Sequence, residues 1–101
     1  MLARRISVLA ANDLVEIWLF TAKNWSPVRA DRYYRMIIKK IDRLQVFPQA
    51  GRPVDHIRPG YRMVKVGVHQ IYYRITDEQI DVIRILHARM DAASRLSENN
   101  E

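Results

Sequence analysis

Between residues 60 and 91 the chain gathers Arg62, Lys65, His69, Tyr72, Arg74, His87 and Arg89. Side chains of these types on one exposed sheet face can do either of two things. They can cut a phosphodiester, where a base activates a 2′-hydroxyl, cations stabilise the phosphorane and an acid protonates the leaving 5′-oxygen. Histidine fills either proton-transfer role near neutral pH. Or they can grip an acidic macromolecule without breaking a bond, which needs only an accessible cationic patch. A plainer reading gives His69 to the flank of a turn and His87 to the end of a strand. His56, His69 and His87 have no metal-ligand spacing and cysteine is absent, so no metal centre, disulfide or cofactor is expected.

These residues need a sheet to carry them. Residues 60–91 read as three consecutive strands joined by tight turns. Two-residue turns at Asp77-Glu78 and Gly67-Val68 set the register. Tyr73 then faces Val82, Arg74 faces Asp81 as a cross-strand ion pair, Ile71 faces Arg84 and Val66 faces His69. Alternation assigns Val64, Val66, Ile71, Tyr73, Ile75, Ile80, Val82 and Leu86 to a helix-covered face. The opposite face is mixed, aromatic and partly basic: Tyr61, Met63, Lys65, Gln70, Tyr72, Arg74, Asp81, Ile83, Ile85 and His87. A bulge at Gly67 would swap the faces of the strand that precedes it. Arg84 falls among core residues and is assigned to a rim.

Upstream, residues 3–9 suit a strand, and Asn12 is a cap for a helix whose first turn holds Asp13 and Glu16. Leu14, Ile17, Trp18, Ala22 and Trp25 share one stripe of that helix. Ser26-Pro27 starts a second helix. Its apolar face is Ala30, Tyr33, Tyr34, Ile37, Ile41 and Leu44, while Arg29, Arg32, Arg35, Lys39, Lys40 and Arg43 line other faces. Pro48 and Gly51 end it, and residues 48–60 read as a Pro/Gly-rich connector. Asp91 caps a last short helix through Leu96. The order is strand, two helices, three strands and a short helix, which makes an α+β layer pair with both helices on one sheet face.

At 101 residues this is one domain, spanning 1–97, with 98–101 as a frayed tail. Seventeen Lys and Arg against 11 Asp and Glu give a net charge of +6, which favours nucleic acid or an acidic protein as partner. The apolar run after Arg4-Arg5 is too short for a signal peptide, and no stretch reaches membrane-spanning length. The absence of cysteine suits a reducing cytoplasm.

Five segments together resemble the ParE/RelE superfamily of bacterial toxins, in its ParE branch. They are Ala-Asn-Asp-Leu-Val-Glu-Ile-Trp at 11–18, Pro-Gln-Ala-Gly-Arg at 48–52, Ile-Arg-Pro-Gly-Tyr-Arg at 57–62, His-Gln-Ile-Tyr-Tyr-Arg at 69–74 and Ile-Arg-Ile-Leu-His-Ala-Arg at 83–89. The resemblance implies two antiparallel helices on a small twisted antiparallel sheet. It implies a cytoplasmic toxin of a type II toxin–antitoxin pair. Its inhibitor would be a ParD-like antitoxin with a DNA-binding N-terminal half and a C-terminal half disordered until it wraps the toxin. ParE-like toxins are associated with poisoning DNA gyrase by trapping its cleaved-DNA state, without chemistry by the toxin. RelE-like toxins instead cut mRNA on the ribosome. Gln70 and Val64 stand where RelE-like members would carry cations, and no aromatic residue or histidine follows Arg89, so the chain departs from the ribonuclease pattern. A plain nucleic-acid-binding module, with the basic helix face tracking phosphates, is the third reading.

Arg58, Tyr61, Arg62, Lys65, Arg74, His87 and Arg89 are therefore the expected target-binding residues, with no catalytic residue among them. Trp25, Tyr33 and Tyr34 are the expected antitoxin anchors, because aromatic side chains dominate interface energies; Trp18 is assigned to the core. The basic body calls for an acidic antitoxin segment and a hetero-oligomer with it.

Overall fold

Ser7 is where the first strand stops and the first helix begins. Its hydroxyl accepts from the Ala10 N–H at 3.0 Å and donates to the Ile83 carbonyl at 2.7 Å, and the residue is fully buried. One side chain thus caps a helix and ties it to the sheet. The chain is described over residues 1–96 in a computed structural model, and the expected frayed tail lies outside the described residues. β1 is Ala3–Ile6 and α1 is Val8–Asn24. The helix therefore starts five residues earlier than a cap at Asn12 would place it, and the strand ends sooner. Asp13 is freed from the first turn for another task, given below.

α2 runs Pro27–Val46, capped by the Ser26 hydroxyl on the Arg29 N–H at 3.1 Å, as expected. A 3₁₀ turn at Pro48–Ala50 follows, then β2 (Arg52–Pro53), β3 (Tyr61–Val66), β4 (His69–Ile75), β5 (Gln79–His87) and α3 (Ala92–Leu96). The sheet order is β1-β5-β4-β3-β2. β1 runs parallel to β5, and the remaining pairs are antiparallel. The α+β class and the helices packed on the sheet are as the sequence implied. β2 is the element the connector concealed: two residues, one a proline, form an edge against Met63 and Arg62.

Both hairpin turns hold. Gly67 takes a left-handed φ of +56°, and Val66 faces His69 with no bulge there. The irregularity lies instead in β5. Tyr73 pairs with Val82 but Tyr72 pairs with Arg84, so Ile83 is the extra residue. Beyond it every partner moves by one: Ile71 faces Ile85 rather than Arg84, and His69 faces His87. The bulge overturns three face assignments. Ile85 joins the helix-side core, Leu86 joins the opposite side, and His87 turns to the face of His69. A period-2 pattern carries no sign of an inserted residue when the residues around it are all apolar.

Both faces of the sheet are covered. On one, Ala10, Leu14, Ile37, Ile41 and Leu44 pack on Val66, Ile71, Tyr73, Ile80, Val82 and Ile85. On the other, α3 and the segment after β2 close over Tyr61, Met63, Tyr72, Ile83 and Leu86 through Val54 and Leu96. The supposedly open mixed face is a second small core. Tyr73, fully buried, locks the 3₁₀ turn after α2 to the sheet: its hydroxyl donates to the Pro48 carbonyl at 2.7 Å and accepts from the Gly51 N–H at 2.9 Å. A Cβ at Gly51 would sit 2.6 Å from that hydroxyl, so only glycine fits.

Candidate functional site

The cations of the β-meander are mostly spent inside the fold. Arg58 donates to the Leu96 carbonyl at 2.7 Å and lies over the Tyr61 ring, which is itself buried. Arg62 donates to the Gly51 carbonyl at 2.7 Å and so braces the approach to β2. Arg74 pairs with Asp81 at 3.3 Å, as the register foretold. Lys65 and Arg89 are exposed. The register puts Tyr61 and Arg74 at one end of the meander and Lys65 at the other, near the strand end that carries His87 and Arg89. His87 lies on the opposite face from Lys65, so the seven residues do not form one surface.

The histidines are brought together by the bulge. The His69 and His87 rings meet edge to face with centroids 5.4 Å apart. The Tyr33 hydroxyl, reaching from α2, lies 2.6 Å from His69 Nδ1 and 3.2 Å from the Val66 carbonyl, and accepts from the Val68 N–H at 3.3 Å. Its one proton serves one acceptor at a time, going to Val66 when His69 Nδ1 carries a hydrogen. Burial lowers the pKa of His69, the neighbouring His87 adds to the effect, and Asp13 opposes it. Burial likewise raises the pKa of Tyr33. His87 Nδ1 accepts from the Arg89 N–H at 3.0 Å, which leaves the proton of the neutral ring on Nε2. This arrangement clasps a turn to a helix. Among the described residues no three His, Cys, Asp or Glu side chains group to hold a metal ion.

A different surface is open. Ile6, Ala11, Leu14, Val15, Trp18, Leu19 and Tyr34 line an apolar groove of about 620 Å³ along α1 and α2, with Asp31 at its edge. Trp18 is not core. It is half-buried in this groove, and its indole N–H donates to Asp31 at 2.9 Å. Val15 and Leu19 are more than half exposed. Sequence reasoning passed over them because they lie off the stripe it traced. The available signal was the excess: α1 holds more large apolar side chains than one buried face can take. Of the expected anchors, Tyr34 lines the groove and Tyr33 is committed to the β3–β4 turn. Trp25 stands exposed at the helix junction under the Arg29 guanidinium, 4.7 Å away.

Among the described residues no helix is long and apolar enough to cross a membrane. The family model described as the ParE toxin of the type II toxin–antitoxin system parDE matches residues 4–92. The chain is 44% identical over 92 residues to Toxin ParE1 of Mycobacterium tuberculosis, covering 90% of this chain and 94% of that one. It is 33% identical to Toxin ParE1 of Caulobacter vibrioides, covering 91% and 95%. Among solved structures, the chromosomal ParDE toxin–antitoxin system from P. aeruginosa aligns with a TM-score of 0.75 at 24% identity, covering 86% of this chain and 96% of that one. A chain of the toxin–antitoxin complex RelBE2 from Mycobacterium tuberculosis aligns at 0.67 and 19%, covering 85% and 96%. The last two likenesses speak to the fold; the family match and the two close relatives fix the branch. The chain belongs to the ParE toxin family of type II toxin–antitoxin systems.

Proposed function

We propose that this toxin is a non-enzymatic inhibitor of DNA gyrase in the cytoplasm, held inactive by a ParD-like antitoxin. The observation that carries the non-enzymatic reading is the commitment of the meander's reactive side chains. A ribonuclease needs unspent cations and a free acid–base pair at the reacting phosphate. Here Arg62 is bonded to the Gly51 carbonyl, Arg74 to Asp81 and His69 to Tyr33. His87 Nδ1 is taken by the Arg89 N–H, Gln70 accepts from the Tyr72 hydroxyl, and Val64 packs against the helix-side core. The exposed Lys65 and Arg89 then serve to bind the target.

The groove supports the antitoxin reading. A contiguous apolar surface of this size suits a partner segment that folds as it binds. The net charge of +6 favours an acidic segment around that apolar contact.

The test pairs two assays on the purified toxin. With gyrase and supercoiled plasmid, covalent gyrase–DNA cleavage complexes should accumulate and vanish when the product of the neighbouring reading frame is added. With programmed ribosomes, mRNA should stay intact. Transcripts cut in the second assay, with gyrase unaffected in the first, would overturn the proposal.

A further inference from the structure

Among the described residues, the cations with no carboxylate or carbonyl partner are concentrated on α2, while Lys23, Arg52, Lys65 and Arg89 are scattered elsewhere. Elsewhere Arg4, Arg5, Arg58, Arg62, Arg74 and Arg84 are tied to carboxylates or carbonyls. Among the described residues, Arg29, Arg32, Arg35, Lys39 and Arg43 meet no carboxylate within ion-pair distance, and all five are exposed. At about 100° per residue these five, with the half-buried Lys40, fall within an arc of about 140° on the helix surface away from the core. The acids of α2 lie on its flank, where Asp42 pairs with Arg4 and Asp31 with the Trp18 indole. The stripe ends at two exposed aromatic rings, Trp25 under Arg29 and Phe47 under Arg43.

Such concentration opposes folding, since like charges three and four residues apart repel along a helix. The stripe spans about 21 Å from Arg29 to Arg43 at 1.5 Å per residue. A duplex carries one phosphate charge about every 1.7 Å of axis over both strands, roughly twelve over that length, so the stripe lies along a dense anionic surface whichever groove edge it follows. A rigid cationic rod suits an equally rigid, evenly charged partner. A flexible acidic peptide would lose chain entropy to match it.

We propose that α2 is a docking surface for the phosphate backbone of duplex DNA, distinct from the apolar groove and from the β-meander. The contact is independent of sequence, and it holds whether or not gyrase is the target. Binding should be salt-dependent, with each contacting cation contributing about 0.9 to the slope of log K against log salt concentration.

The experiment is fluorescence anisotropy of a labelled 20-base-pair duplex titrated with the full chain between 50 and 200 mM salt. Arg32→Ala/Lys39→Ala should lower the slope by about 1.8 and the affinity about tenfold at the lower salt. Lys23→Ala/Arg52→Ala removes the same charge at exposed positions elsewhere and should change neither by a comparable amount. The α2 variant should melt no lower than the parent, since both positions are exposed and the change relieves like-charge repulsion. Equal losses in the two variants would make the binding a property of net charge and overturn the assignment. So would displacement of the duplex by polyglutamate at lower concentration than unlabelled duplex, which would give the stripe to an acidic protein. Absence of binding at 50 mM salt would also sink it.

Discussion

Arg84 on β5 grips Asp13 on α1 with two parallel hydrogen bonds, each 2.9 Å, across 71 positions of sequence. The same carboxylate accepts from the Ile85 N–H at 2.9 Å, just past the bulge at Ile83. Arg84 is buried, so this is a two-pronged pair inside the helix–sheet interface and not a side chain at a rim. Removing one partner of such a pair strands a buried charge. Arg84→Ala or Asp13→Ala should cost about 3–5 kcal/mol in urea denaturation. Replacing both, as Arg84→Met with Asp13→Leu, should cost much less than the two single changes summed. A loss under about 1 kcal/mol for each single change would place the pair with weak surface contacts.

His69 should make stability depend on pH. Its pKa is lower in the folded chain, chiefly through burial, so as pH falls the unfolded chain takes up this proton first. Stability from this residue is complete above the ordinary histidine pKa of about 6.5, and is lost as pH drops through that value toward the lowered one. Thermal melts should therefore show the midpoint falling between pH 7 and pH 5. His69→Asn keeps an acceptor for Tyr33 but cannot titrate, so its midpoint should fall less. Identical pH profiles for variant and parent would remove His69 from the account.

Arg62 and Arg89 should separate structure from target binding. Arg62→Ala deletes a charge-assisted hydrogen bond to the Gly51 carbonyl and should lower stability by about 1.5–3 kcal/mol. Arg89 is exposed, so Arg89→Ala should leave the melting temperature within a degree or two while reducing growth inhibition on induction. Full toxicity in Arg89→Ala would exclude that side chain from the target surface.

The groove should be read by antitoxin affinity. Trp18→Ala and Tyr34→Ala should each weaken antitoxin binding by about 2 kcal/mol, roughly 30-fold, by calorimetry. Tyr33→Phe loses the clasp on the β3–β4 turn and should lower stability instead, with affinity little changed. An antitoxin that binds all three variants equally would move the interface off this groove.

Much of this was local and hence legible. Ser26-Pro27 starts α2, Gly67-Val68 and Asp77-Glu78 turn the hairpins, and Arg74 meets Asp81 because two-residue turns leave one register. The apolar stripe of α2 named Ile37, Ile41 and Leu44 as core, and the order of elements gave the α+β class and the family resemblance. The basic face of α2 was equally plain from helical spacing.

What the chain alone withheld depends on contacts between distant residues. Ser7 prevails over Asn12 as the helix start because its hydroxyl also reaches Ile83, 76 positions away. Ile83 bulges where Asp13 can bind both Arg84 and the Ile85 amide, and that one extra residue turns His87 toward His69. The open sheet face closed because α3 and Val54 fold back over it, and Trp18 came to line a groove because α2 sets Asp31 and Tyr34 beside it. Local sequence determines which conformations are cheap for each segment. Which buried polar groups must find partners is decided only when the segments meet, and that requirement chose the bulge, the caps and the surface left open.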